Sequence, residues 1–338
     1  MAFGNQSAVK EFILLGLSDN SKMQVPLFQL FLTIYMFTLA GNGVLITAVR
    51  VDNRLHTPMY LFLSNLSFLD ICYTSIIVPK MLVNIAISSK SISTAGCFLQ
   101  VYLYLFLGET ECILLAFMAF DRYVAICNPL RYNVIMNTAS CIRIISTSYM
   151  TGSAISSVDI FFTATLKFCG PVIIDHFFCE APSLLQLSCS DLTANNIVAL
   201  IGSTTLIFIP LSLILFSYTQ IFLVVVKIPS GKYKAFSTCI SHIIVMVIFY
   251  GTVMFMYLRP RYSATEFTDK LVSVFYTIVT PMLNPLIYSL RNKDVLRALR
   301  LLGRIRRNHH NIFMVFLSEE SLYCEAMKLA DDEVSLPV

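Results

Sequence analysis

The sequence predicts an all-α membrane protein: a bundle of seven transmembrane helices followed by a short amphipathic eighth helix. Three observations predict it. Of the 338 residues 57% are hydrophobic and only 13% are charged, and the mean hydropathy is +0.73. A soluble domain carries about a quarter charged residues, so too little polar side chain remains here to coat a globular surface. The apolar residues also fall in seven runs of twenty or more, about the length needed to cross the hydrocarbon core. Finally, Lys and Arg collect on one side of those runs, fifteen against six, the asymmetry that orients a polytopic chain.

The runs are Pro26–Val49, Pro58–Ile87, Cys97–Phe120, Ile144–Thr165, Ile197–Val226, Ala235–Leu258 and Leu271–Leu290. The first, fifth, sixth and seventh contain no Asp, Glu, Lys or Arg; the fourth is rich in Ser and Thr and carries Asp159. All are continuous and longer than a barrel strand of about ten residues. The clusters Phe12–Leu17 and Ile312–Leu317 are too short to span. Met1–Asn20 lacks a basic start and a long apolar core, so no signal peptide is expected and the first helix inserts itself. The expected organisation is an extracellular segment 1–25, a bundle 26–290, an amphipathic cytoplasmic helix 291–307 and a disordered cytoplasmic tail 308–338 that ends acidic.

Orientation follows from the basic residues, which place the N-terminus outside and the C-terminus in the cytosol. Asn5-Gln6-Ser7 is a glycosylation sequon in the segment expected outside, making Asn5 the acceptor. Cys97, Cys169, Cys179 and Cys189 lie at or near the outer loops, where an even number reads as two disulfides in one of three pairings. In the amphipathic segment, Val295, Leu296, Leu299 and Leu302 share one face, with Arg297, Arg300 and Arg304 largely opposite, as suits a helix lying on anionic lipid.

Buried polarity marks the interior. Asp70 stands twelve residues into its helix, about 18 Å from the end at 1.5 Å per residue, near the depth where a carboxylate is costly and usually functional. Glu111 sits at comparable depth on the third helix. The two read either as a site for a sodium ion or as a hydrogen-bonded structural cluster, with no other metal expected. Pro210, Pro281 and Pro285 each remove a backbone donor and loosen their helices.

Six blocks, in order and in register with the spans, resemble one family. They are Gly41-Asn42, LHTPMYLFLSNLSFLD at Leu55–Asp70, MAFDRYVAICNPLRY at Met118–Tyr132, Ser217-Tyr218, KAFSTCISH at Lys234–His242 and PMLNPLIYSLRN at Pro281–Asn292. Over roughly residues 10–303 the chain resembles the olfactory receptors, a branch of the rhodopsin-like G-protein-coupled receptors. The resemblance implies an odorant receptor of the plasma membrane that binds a small, weakly polar organic molecule. It implies activation of the olfactory stimulatory heterotrimeric G protein and a rise in cyclic AMP, with Asp121, Arg122, Tyr123, Tyr218, His242, Asn284, Pro285 and Tyr288 forming the switch. Asn42 and Asn284 resemble the family's polar partners of Asp70. The resemblance also implies the pairings Cys97–Cys179 and Cys169–Cys189, the former tying the loop containing HFFCE (His176–Glu180) over the pocket.

Transposing the family's upper pocket gives Tyr104, Leu105, Gly108, Glu109, Gly202, Ser203, Leu206, Tyr250, Val253, Tyr257 and Thr277. Tyr104 stands where amine-binding relatives carry an Asp, so an amine anchored at that position is not expected. Glu109 is open: facing the cavity it would favour a basic or hydroxyl-bearing ligand, facing a neighbouring helix it would be structural. Phe120 replaces the Tyr usual in this family before Asp-Arg-Tyr, the inner loop Lys227–Lys234 is a residue or two short, and the chain runs past the usual end near Leu301–Arg304.

Other classes are disfavoured. A net charge of +4 gives no support to nucleic-acid binding. The internal repeats and paired broken helices of transporters are not visible. No HExxH, GxSxG or P-loop spacing occurs, so neither an enzyme nor a cofactor is expected. The expected partners are an odorant, a G protein and membrane lipid.

Overall fold

A computed structural model describes residues 9–17, 20–87, 90–169, 171–227, 232–258, 266–291 and 294–298. The expected runs become α1 (Ser21–Val51), α2 (Pro58–Ile87) and α3 (Thr94–Cys127), then, after a single turn α4 (Tyr132–Ile135), α5 (Thr138–Ala164). A short α6 (Ala181–Gln186) precedes α7 (Thr193–Lys227) and α8 (Lys232–Leu258). The last rod is α9 (Glu266–Val274), a π-helical turn (Phe275–Val279) and α10 (Thr280–Arg291).

The ends follow local chemistry. Asn20, Ser93 and Asn137 cap α1, α3 and α5 by accepting the backbone N–H of Lys22, Gly96 and Ser140 at 3.0, 3.1 and 2.9 Å, which satisfies donors the first turn leaves orphaned. Pro58 opens α2, where its missing donor costs nothing. Pro281 acts differently: lacking an N–H, it cannot continue the ladder. The turn before it widens, with the Thr280 N–H reaching the carbonyl of Phe275.

Among the described residues five stretches are long and apolar enough to cross a membrane: Lys22–Val51, Pro58–Ile87, Thr94–Cys127, Thr193–Lys227 and Thr268–Tyr288. The fourth expected span, α5, is a 27-residue helix whose Ser and Thr content keeps it outside that set, and the apolar part of α8 is His242–Phe255. Polarity is arranged as lipid demands. Leu30, Met36, Phe37, Phe208, Ile209 and Leu215 are exposed, while Asn42, Asp70, Thr74, Glu111, Asp121 and Asn284 are buried among the helices.

α3 is the central rod, packed against α2, α5 and α7. Its contact with α5 is close because Gly152 presents no side chain: an ideal Cβ there would lie 2.6 Å from Thr110 Oγ1 and 3.0 Å from the Phe106 carbonyl oxygen. Gly41 serves α1 similarly against Pro285, with a Cβ-to-Cγ approach of 3.2 Å.

One end carries a small sheet that the sequence did not foretell. β1 (Glu11–Leu14) lies between β2 (Ser91–Ser93), antiparallel, and β3 (Ile173–Ile174), parallel. The segment too short to span is therefore a central strand, whose Phe12 and Leu14 are buried and whose Glu11 and Ile13 are exposed, the two-residue period of a strand with one covered face. Phe12 meets Phe168 edge to face at 5.2 Å. Both disulfides close at this end: Cys97–Cys179 with Cα atoms 5.5 Å apart and Cys169–Cys189 with 5.8 Å. Residues 294–298 are helical, with Val295 and Ala298 buried. Asn5, the rest of the expected amphipathic helix (residues 292–293 and 299–307) and the tail lie outside the described residues.

Candidate ligand cavity and switch region

A cavity of about 400 Å³ opens between α3, α5, α7, α8 and the final rod, below the disulfide-bonded loop. Of the expected binding residues, Tyr104, Leu105, Gly108, Glu109, Ser203, Leu206 and Val253 line it. Three do not. Gly202 faces α5, where its ideal Cβ would meet Ile155 and Asp159. Thr277 is buried with its hydroxyl donated to the Ser273 carbonyl at 2.6 Å. Tyr250 donates to the Cys112 carbonyl at 2.9 Å, tying α8 to α3. The side chain of Tyr257 lies outside the described residues.

Sequence reasoning missed further lining residues, among them Tyr73 of α2, Asp159 of α5, Phe249, Tyr276, and Pro182 and Leu185 of α6. For Asp159 a signal existed, a charge inside a span; for the aromatics there was none beyond helical spacing. Tyr104 is the aromatic hub. Its hydroxyl and that of Tyr276 are 2.7 Å apart, and its ring stacks obliquely on Tyr73, Phe178 and Tyr276. Glu109 does both things the sequence left open: it lines the cavity and accepts a 2.8 Å hydrogen bond from Ser156 of α5.

The loop above is pinned from below. Gln100 of α3 donates to the Ile76 carbonyl at 3.0 Å and accepts the Cys179 N–H at 2.9 Å, while Lys270 of α9 pairs with Asp175. His176 is buried between Phe177 and Phe178, ring centroids at 4.6 and 4.7 Å, and neither ring nitrogen has a partner among the described residues. Burial holds its imidazole below the usual range; Glu180 opposes that, Lys270 adds to it, and Asp175 and Asp269 oppose it. The unfolded chain then binds more protons, so stability present at neutral pH is lost as pH falls below about 6.5. The thermal midpoint should fall between pH 7.5 and 5, and His176→Phe should flatten that slope in a pH series of thermal unfolding. An unchanged slope in the variant would reassign the effect elsewhere.

At the far end of α3, Arg122 is mostly buried and pairs through Nε and Nη2 with Asp121, whose other oxygen accepts the Tyr132 hydroxyl at 2.8 Å. Tyr123 packs edge to face on Phe216 of α7 at 5.7 Å. His242 of α8 packs on Tyr288 of α10 at 5.1 Å, and the hydroxyls of Tyr288 and of Tyr218 are buried without partners among the described residues. Between cavity and switch runs a polar seam: Asn284 Nδ2 donates to both Asp70 oxygens at 3.1 Å, and Asn42 Nδ2 donates to the Pro281 carbonyl at 3.0 Å. The amide oxygens of Asn42 and Asn284 are buried and unbonded among the described residues.

A family model described as olfactory receptor matches residues 31–303 of this chain. The chain belongs to the olfactory receptor family. It is 51% identical over 299 residues to mouse "Olfactory receptor 5AP2", covering 88% of this chain and 94% of that protein. To the human "Olfactory receptor 5AP2" it is 50% identical over the same length, and to human "Olfactory receptor 2G3" 49% identical over 304 residues, 98% of that protein. This olfactory receptor is thus a seven-helix, multi-pass protein of the plasma membrane, and its relatives are receptors rather than enzymes. The two disulfides of this receptor are those its family resemblance implied.

Proposed function

We propose that this olfactory receptor binds a small, weakly polar organic ligand in the cavity beside α3 and activates an olfactory stimulatory G protein, raising cyclic AMP. The observation that carries the reading is that one rod holds both ends of the mechanism. Glu109 at the cavity and Arg122 at the switch share α3, thirteen residues apart, about 20 Å along one rigid helix. Tyr104, Leu105, Gly108, Ser203, Leu206 and Val253 would touch the ligand, and the N-terminal sheet end would face outside with Asn5 glycosylated. Arg122, Asp121, Tyr123 and the Tyr218, His242, Pro285 and Tyr288 group would rearrange to admit the G protein in the cytosol, with membrane lipid against residues 291–307.

Ligand binding acts only through the difference it makes between two states. Arg122 is paired with Asp121, which would be the resting arrangement; in the active state it would leave that carboxylate for the G protein. The seam suits a sodium ion chemically, since Asp70 and Glu111 are close enough for their charges to interact and the buried amide oxygens of Asn42 and Asn284 are unbonded among the described residues, all oxygen donors of the kind a hard cation takes. When bound, such an ion would supply positive charge to the buried acids.

The test is an odorant panel on cells reporting cyclic AMP, repeated with Arg122→Ala at matched surface level. The response should fall by more than about tenfold, the loss expected when a buried charged pair is broken. A ligand that acts equally well without Arg122 overturns the switch assignment.

A further inference from the structure

The cavity has two chemical faces. Tyr73, Tyr104, Phe249 and Tyr276 supply aromatic surface. Glu109 and Asp159 supply acid. Glu109 is 7% exposed and accepts a hydrogen bond from the Ser156 hydroxyl. Asp159 stands three residues beyond Ser156 and so shares its face of α5. The Asp159 carboxylate has no hydrogen bond or ion pair with any described residue, and it lies close enough to Glu109 for the two charges to act on each other. No Lys, Arg or His is among the described lining residues.

Two carboxyls facing one apolar chamber without a counter-charge are costly to ionise there. A ligand that brings one positive charge offsets that cost for one carboxylate, the other carboxyl keeping its proton, and the hydrogen bond it makes to the ionised acid is charge-assisted. The aromatic side chains suit the same ligand, since ring faces attract cations and bury an apolar body.

We propose that the cavity selects a small amine, its protonated nitrogen on the Glu109–Asp159 pair at the α3–α5 seam and its hydrocarbon body against Tyr104 and Phe249. This rests on the reading that the cavity is the ligand site, and it replaces the weakly polar ligand of that reading with one charged at a single nitrogen. The anchor differs from an acid at position 104, because it is shared between two helices and lies more than a helical turn further along α3. An alkylamine is protonated at neutral pH, like the Lys side chain at about 10.4. The Asp159 side is also close-packed by α7, where Gly202 leaves an ordinary gap of 3.8 Å from its ideal Cβ to Asp159 Oδ2.

The test uses the full-length receptor in lipid nanodiscs and matched sets of amine, alcohol and ketone on the same six-to-ten-carbon skeletons, for example 2-phenylethylamine against 2-phenylethanol. The best amine should bind at least about tenfold more tightly than its alcohol, the worth of one charged hydrogen bond. In Glu109→Gln/Asp159→Asn that ratio should fall to about one, with folding followed by thermal unfolding. The parent ratio alone decides the matter if the variant fails to fold. Alcohols or ketones binding as well as amines, or an amine preference that survives in the folded double variant, overturns the proposal while leaving the cavity as the ligand site. If no probe binds, the amine proposal falls, and Arg122-dependent nucleotide exchange judges the receptor reading separately. Amine binding without a cyclic AMP response upholds the proposal and refutes the stimulatory coupling.

Discussion

Gly152→Val is expected to reach the cell surface at less than about a tenth of the parent level, a loss in line with a severe core overpacking change. The reason is local and geometric. α5 lies on the backbone of α3, and the first side-chain carbon at position 152 would sit 2.6 Å from Thr110 Oγ1, 3.0 Å from the Phe106 carbonyl and 3.2 Å from the Thr110 nitrogen. Thr110 cannot simply turn away, because its hydroxyl is donated to that same Phe106 carbonyl at 2.7 Å. Backbone does not yield as a flexible side chain does, so the helices must separate, and small residues at such crossings are what allow close approach within lipid. Gly152→Ala should cost about 1–3 kcal/mol, the ordinary range for inserting a methyl group into a filled interior. Gly43→Ala is the control, since nothing lies within 4 Å of its ideal Cβ. Surface staining and thermal unfolding of the two alanine variants give the answer: equal behaviour would mean that the α3–α5 contact is looser than described.

The second large effect is expected at the seam. Asp70→Ala leaves the Asn284 amide, which now donates to both carboxylate oxygens at 3.1 Å, without its acceptor in a water-poor interior. Asn284→Ala leaves a fully buried carboxyl without a donor. Each single change should destabilise by about 1–3 kcal/mol, the penalty for orphaning a buried polar group. The double variant should cost less than the sum. Hydrogen bonds between helices in membranes couple by about 0.6 kcal/mol on average and about 1.7 at most. A paired contact to a carboxylate belongs at the upper end, so a cycle measured by unfolding should return more than about 1 kcal/mol. Strict additivity would show that Asp70 and Asn284 do not pair in the resting receptor.

Both residues were legible beforehand. Asp70 is conspicuous because a charge at mid-span is rare, and Asn284 came with the PMLNPLIYSLRN block. The same holds for Asp121 and Arg122, neighbours in the chain whose pairing needs no long-range information. The cavity was legible only in part. Tyr104, Gly108 and Glu109 follow each other on α3 and reach the chamber together, but Gly202 and Tyr250 are turned toward neighbouring helices and the Thr277 hydroxyl is bonded to the Ser273 carbonyl of its own rod. Periodicity fixes which residues share a face, and it leaves open which way that face is rotated.

Run length and composition determined by themselves that the chain is a multi-helix membrane protein, because transfer free energies add residue by residue along the chain. Tertiary structure alone decided the rest. It set Glu109 against Ser156 and Asp159 rather than against lipid, and it made a strand of Glu11–Leu14 by bringing Ser91–Ser93 and Ile173–Ile174 beside it. Strand partners about 80 and 160 residues away, and the rotation of a helix about its own axis, depend on what packs against them, which no local window contains.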